Sequence, residues 1–312
     1  MKTIKSIGRI AGYLAFFLLI FAIAMVFKFP TDAVVRSVLE DIRHDHKVIV
    51  DVRSIERYRV TGVELDGVTL SWDKARVFEF ARLENVKVWV NPLPLLWGTA
   101  SLKLNVTAYG GRLQGKAAVS KKHVDADIDI DGFNLAMLDL AHFIPGGVAE
   151  FATTGLISGN VNMHLVSRTE RSRQDKSTGS IDLDINNFSL SGIKVSIPLM
   201  DTLEMDRIAF EPTKLLMELD YPSLKISQGT FKGQQIEVVL SGKMTLKKNF
   251  MKSNYMYTAK FKLGPEFDQK YGLALSLAAG QMNLKKDSQG YYRLDLRGMP
   301  SNPRIQQLRN LN

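Results

Sequence analysis

The chain has 312 residues, of which 45% are hydrophobic and 23% charged, and this composition excludes a disordered or low-complexity protein. It has no cysteine, which excludes a disulfide scaffold, thiolate metal sites and a cysteine nucleophile. The net charge of +9 admits anionic lipid, nucleic acid or an acidic partner. Because no arginine-rich block with interleaved aromatics occurs, we expect no nucleic-acid partner. Two interpretations are open for part of this basic excess: a solvated sheet face, or a surface that contacts anionic lipid headgroups. The lysines concerned are Lys243, Lys247, Lys248, Lys252, Lys260 and Lys262.

Residues 10–29 predict a transmembrane anchor. No charge occurs from Ile10 to Phe27, and a helix of that length spans about 27 Å, enough to cross a hydrocarbon core with its flanks. Basic residues among 1–9 predict a cytoplasmic N-terminus and a main domain across the membrane. A cleaved signal peptide is the alternative, but the one small-x-small site lies inside the run, which favours an uncleaved anchor. The anchor includes Ile10, Leu14, Phe17, Leu18, Phe21 and Met25.

Residues 30–47 predict a juxtamembrane helix, because apolar residues recur there at helical spacing after Thr31 or Asp32, either of which can cap it. From Val48 the hydrophobic period changes to 2, which predicts a repetitive β-domain over 48–312 with one apolar and one polar face. Two short helices are predicted within it, at 136–143 and 200–207, and no long one. A closed barrel, a sandwich and an open, curved gutter all remain possible, since periodicity does not distinguish them. The candidate groove residues on the apolar face are Val86, Val88, Leu102, Leu104, Val106, Ile128, Ile130, Val161, Met163, Leu165, Ile181, Leu183, Ile236, Val238, Leu240, Phe261, Leu263, Leu294 and Leu296.

Catalytic motifs are weak. Gly110 to Lys116 matches the start of a phosphate-binding loop, but Ala117 stands where a hydroxyl is needed. The run from Asp127 to Gly132 resembles the start of a calcium loop, but Leu138 stands where a bidentate glutamate is needed. We therefore expect a glycine hairpin and an acidic strand face, no cofactor or metal, and no enzymatic activity.

Several short motifs, made mainly of glycine, proline and aliphatic residues, occur along the chain. Phe29-Pro30 opens the first helix, and residues 61–70 read TGVELDGVTL, 91–98 NPLPLLWG, 133–138 FNLAML and 296–303 LRGMPSNP. With the basic N-terminus and single anchor, these motifs resemble the type II secretion protein N family, in the form found in deltaproteobacteria and related bacteria. The chain is similar at the same level to the larger AsmA and TamB group of envelope proteins.

The resemblance implies a single-pass inner-membrane protein with a periplasmic, mainly β domain. That domain would be an elongated, curved antiparallel sheet, gutter-like, with an apolar concave face and no active site. Two functions follow as expectations, and they do not exclude each other. One is a non-enzymatic accessory role in type II secretion, with inner-membrane secretion components as partners. The other is a lipid-binding or lipid-transfer role, with acyl chains in the groove.

Overall fold

The computed structural model describes residues 31–46, 48–59, 61–72, 78–91, 94, 98–120, 122–137, 149–166, 177–195, 203–247, 252–281, 284, 286–299 and 302–305. The predicted anchor at 10–29, including all six of its named residues, lies outside these ranges. Across the described ranges, no helix is both long enough and apolar enough to span a membrane.

Strands dominate the chain, as the alternating pattern predicts, and the prediction of a mainly β protein is confirmed. Two α-helices accompany them: α1 covers Thr31–His46 and α2 covers Pro265–Gln281, and a 3-10 turn covers Leu135–Met137. The strands of the first half are β1 Val48–Tyr58, β2 Gly62–Trp72, β3 Phe78–Asn91, β4 Ala100–Ala108, β5 Gly111–Val119, β6 His123–Asn134, β7 Ala149–Val166 and β8 Thr178–Val195. Those of the second half are β9 Leu203–Met205, β10 Ile208–Ala209, β11 Thr213–Asp220, β12 Ser223–Phe231, β13 Ile236–Thr245, β14 Asn254–Leu263, β15 Tyr292–Met299 and β16 Asn302–Ile305.

All 16 strands belong to one antiparallel sheet in which nearly every strand pairs with its neighbours in the sequence. The order departs from this at β9 and β10, which pair with β8 and not with each other, so that β8 also pairs with β11. Short turns set this order. At the β4–β5 hairpin, Tyr109 and Gly110 both have positive φ, 53° and 71°, and such two-residue turns match the twist of the flanking strands. Within the described residues β1 pairs only with β2 and β16 only with β15, so the sheet is open.

The hydrophobic core divides into clusters along the sheet. The first lies on β1 to β5, where Val68 is 2% exposed and Val35 of α1 packs against it. The second joins β8, β10, β12 and β14 to α2, whose Phe267 and Tyr271 are both 5% exposed. A small third cluster contains Ala279 of α2 and Tyr292 of β15. Each helix therefore packs near one end of the sheet.

The predicted helix at 200–207 is wrong, because its described part contains strand β9, which pairs with β8. Of the predicted helix at 136–143, residues 136 and 137 lie in the 3-10 turn, and residues 138–143 lie outside the described ranges. The long helix α2 was not predicted. Pro265 begins it and Glu266 and Asp268 stand in its first turn, which suits the positive end of the helix dipole. Leu273 and Leu277 of this helix are 78% and 49% exposed. Because apolar residues occur on its exposed side as well as on its buried side, the sequence shows no clear helical period.

Candidate functional site

The strand register places the candidate groove residues of the first half on one face of the sheet. In antiparallel strands, residues directly opposite each other lie side by side on the same face. Two rows of such partners cross the sheet and hold most of these candidates. One row runs Val86, Val106, Leu113, Ile130, Gly159, Leu183, and the next runs Val88, Leu104, Gly115, Ile128, Val161, Ile181. A third row holds Leu102 and Met163, and Leu165 follows two residues after Met163 on the same face.

The candidates of the second half share that face. Strands β11 and β12 continue the rows, so that Ile181 is opposite Met217 and Met217 opposite Ile226. The pairs that complete the set are Ile236 with Leu263, Val238 with Phe261, Leu240 with Ala259, Ala259 with Leu294, and Tyr257 with Leu296. We call this surface the apolar face and the opposite surface the polar face.

Most of the apolar face is only half-buried. Val86, Val106 and Leu263 are buried, Leu165 is 38% exposed, and the other candidates are intermediate. The inner face of a two-layer sandwich would instead be buried by a second sheet. The apolar face is therefore partly covered, and its coverage is uneven.

The two helices contribute that uneven coverage. Helix α1 packs near β1 to β3, and α2 packs over the face at β12 to β15. Between them, Leu102, Ile128, Val161 and Met163 join none of the three clusters of described residues and stay half-exposed. The middle strands thus present apolar side chains that no described element covers fully.

Several residues of the apolar face were not predicted. Leu215 and Leu219 of β11, Leu224 of β12 and Tyr255 and Tyr257 of β14 lie on it by register. The signal was present as Leu215-x-Met217-x-Leu219, but Leu216 interrupts it and a bulge follows at that point. Burial and the neighbouring Tyr255 raise the pKa of the Tyr257 phenol, because a poorly hydrated environment disfavours the charged phenolate.

The partial matches to a phosphate-binding loop and to a calcium loop lie at a turn and on the polar face. Gly110 to Lys116 forms the β4–β5 turn and most of β5. Asp127 and Asp129 of β6 both accept hydrogen bonds from the Asn160 amide of β7, at 2.9 and 3.0 Å. Within the described ranges, no group of His, Cys, Asp or Glu is arranged to hold a metal ion.

Histidines gather at one end of the polar face. The rings of His123 and His164 stack at 5.5 Å, and both contact the Asp125 carboxylate. Ser120 lies 3.2 Å from the His123 ring, but its hydroxyl also accepts the backbone N–H of His123 and of Lys122. Ser120 therefore stabilises the β5–β6 turn.

Searches against protein-family models, curated proteins and solved structures match nothing to this chain. The resemblance to the type II secretion protein N family and to the AsmA and TamB group therefore stays a prediction from the sequence motifs.

Proposed function

We propose that this protein binds the acyl chains of membrane lipids along its apolar face, as a non-enzymatic module of the cell envelope. One observation supports the proposal above others: the register joins the apolar residues of successive strands into one continuous, half-exposed surface. A soluble protein rarely exposes a contiguous apolar surface without a ligand or a partner. Acyl chains suit it because the surface is long and is lined mainly by aliphatic side chains.

Backbone irregularities support a gutter shape for this sheet. Gly155 and Gly159 of β7 have φ values of 139° and 157°, and Gly242 of β13 has a φ of 124°. Bulges interrupt the register between β6 and β7, between β7 and β8, and between β12 and β13. Bulges and glycine kinks are the means by which sheets bend sharply. We infer that the sheet coils around its apolar face, which shelters chains from water along its length.

The predicted location suits the same role. The predicted anchor at 10–29 would attach the β1 end of the sheet to the inner membrane, with the domain in the periplasm. Lipid could then reach the apolar face from the outer leaflet of that membrane. The accessory role in type II secretion rests on the sequence resemblance alone, and it would fail if deletion of the gene left exoprotein secretion unchanged.

Photocrosslinking tests the proposal residue by residue. The photoreactive amino acid p-benzoyl-phenylalanine would replace Ile128 or Val161 on the apolar face of the full-length protein in membranes with radiolabelled phospholipid. Matched controls place it at the adjacent Asp129 or Asn162, which point to the polar face of the same strands. We expect labelled lipid adducts from the first pair and none from the second.

Two results would contradict the proposal. Equal labelling at all four positions would mean that lipid contacts the sheet without regard to face. Crosslinks from Ile128 and Val161 that contain only protein would mean that a polypeptide covers the apolar face.

A further inference from the structure

The polar face changes the sign of its charge along the sheet. In its middle, β6 and β8 contribute aspartates at alternating positions, and the facing residues of β7 are neutral or histidine. Toward the C-terminal end, the polar face of β12 to β15 is mostly basic. The acidic residues in the middle are Asp125, Asp127, Asp129, Asp131, Asp182 and Asp184, and the basic residues toward the end are Lys225, Lys243, Lys260, Lys262, Arg293 and Arg297.

One row of the basic region has an exposed apolar centre. By register Lys225 is opposite Lys243, Lys243 opposite Met256, and Met256 opposite Arg297. Met256 is 52% exposed, and the three basic side chains around it are exposed too. Neighbouring strands are about 4.8 Å apart, so this row is compact. We call these four residues the basic row.

Two more lysines extend the basic row toward the β13–β14 connection. Lys247 and Lys252 are both exposed, just beyond the ends of β13 and β14. The backbone N–H of Lys247 donates to the Ser253 hydroxyl at 3.0 Å, which brings the two ends of this connection together. The two added cations therefore lie on the side of the row nearest this connection.

Nearby carboxylates are held by other groups. Asp287 pairs with Lys260 at 3.2 Å, while Asp295 accepts from Arg293 at 3.0 Å and from the Thr258 hydroxyl at 2.8 Å. Among the described residues, Lys225 and Lys243 form no ion pair, although Glu218 is opposite Lys225 in the register. Arg297 lies near the Asp295 carboxylate and helps to lower its pKa, so this cation is partly compensated. The row thus keeps a positive charge that a partner can neutralise.

An anionic bilayer fits this surface better than a nucleic acid does. Single-stranded nucleic acids stack their bases on aromatic side chains, but Tyr255 and Tyr257 of β14 lie on the apolar face. A membrane interface instead accepts an apolar side chain among basic ones, because lysine and arginine reach the headgroups while the apolar group enters the acyl boundary.

We propose that the basic row, with Lys247 and Lys252, docks the C-terminal end of the sheet on a bilayer surface containing anionic phospholipid. This contact uses the polar face and the headgroups, so it is independent of acyl-chain binding on the apolar face. Each basic residue near an anionic bilayer strengthens binding about fivefold.

Vesicle co-sedimentation tests the docking. The full-length protein, held in an uncharged amphipol, would be mixed with phosphatidylcholine vesicles containing either no phosphatidylglycerol or about 30% of it. The test variant is Lys243→Glu with Arg297→Glu. Its matched control is Lys103→Glu with Lys116→Glu, a pair of exposed residues opposite each other on the polar face of β4 and β5. We expect at least about 25-fold weaker binding to anionic vesicles for the test variant and wild-type binding for the control.

Further measurements keep the test decisive. Thermal unfolding establishes that both double variants are folded, and Met256→Ser tests the apolar contact alone, with a smaller loss of binding expected. For the wild type, raising the salt from about 0.1 M to about 0.5 M NaCl should weaken binding, because salt screens exposed charges. Equal losses in the test and control variants would overturn the proposal, as would salt-independent binding. Binding to single-stranded RNA that is tighter than vesicle binding, and lost in the test variant, would assign the surface to nucleic acid instead.

Discussion

Gly159 shows how closely two central strands approach each other. It lies in β7 with a φ of 157°, and a Cβ at this position would come within 2.0 Å of the Asp182 carbonyl oxygen in β8. Gly115 lies on the same face in β5, but a Cβ there would approach nothing nearer than 3.4 Å, the distance to Ile128 Cγ1. The two glycines therefore differ in their tolerance of a methyl group, although both interrupt the apolar rows.

The substitution Gly159→Ala should lower the free energy of unfolding by about 2–4 kcal/mol, because the backbone of β8 must move away or the kink in β7 must relax. Gly115→Ala should change it by less than about 1 kcal/mol, since its added methyl group makes an ordinary contact. Chemical denaturation of the two variants beside the wild type measures both values. Equal effects would mean that β7 and β8 separate without cost at this point.

Helix α2 is tied to the sheet by a polar contact as well as by its apolar side. Lys270 donates to the Asp206 carboxylate, and the backbone N–H of Asp206 donates to the Tyr271 hydroxyl at 3.1 Å. Two side-chain hydrogen bonds lower the pKa of the Asp206 carboxyl: the one with Lys270 has the larger effect, and the one with the Tyr271 hydroxyl the smaller. Because the folded pKa is the lower one, this contact stabilises α2 above the ordinary carboxyl pKa, and the stabilisation is lost as the pH falls through the lowered value.

Hydrogen exchange of α2, corrected for the intrinsic rate, should therefore speed up as the pH falls from about 5 to about 3. Asp206→Asn should show faster exchange in α2 at neutral pH already. The control Glu204→Gln removes an exposed carboxylate from β9 nearby and should leave α2 unchanged. If exchange in α2 were identical in all three proteins, the apolar contacts of Phe267 and Tyr271 alone would hold the helix.

At the scale of the whole molecule, the main clusters lie on different groups of strands. The first lies on β1 to β5 and the second on β8 to β14 with α2, while the strands between them contribute half-exposed residues. All three tryptophans occur at or before position 97, so their fluorescence reports on the first half only. The two clusters share no buried residue, and β6, β7 and β8 are joined between them mainly by strand pairing. We therefore expect the two halves to unfold in separate steps.

Two buried residues test this expectation. Phe210 is 9% exposed and stacks on Phe188 at 5.1 Å, whereas Val68 is 2% exposed in the first cluster. Phe210→Ala should destabilise the second half by about 3–5 kcal/mol, measured by hydrogen exchange, and leave the tryptophan transition in place. Val68→Ala should shift the tryptophan transition instead. A common shift of both signals in either variant would show that the sheet unfolds as one unit.

The sequence predicts the strands well where alternation is strict and poorly where the backbone departs from it. The alternating residues Val124, Ala126, Ile128 and Ile130 indicated β6 directly. The bulges beside Leu216 and after Ile226 change the face on which the following residues lie. The hydrophobic period of 2 is interrupted there and does not predict β11 and β12. Periodicity also does not show whether a sheet closes, because that depends on pairing between distant strands.

The nearest-neighbour strand order makes the length of this protein adjustable. Each hairpin is joined mainly to the strands before and after it, so one more pair of strands could enter between two others without changing any distant contact. Such an insertion would extend the apolar face by about 10 Å. The number of hairpins in the chain therefore determines how far the apolar face extends from the first strand.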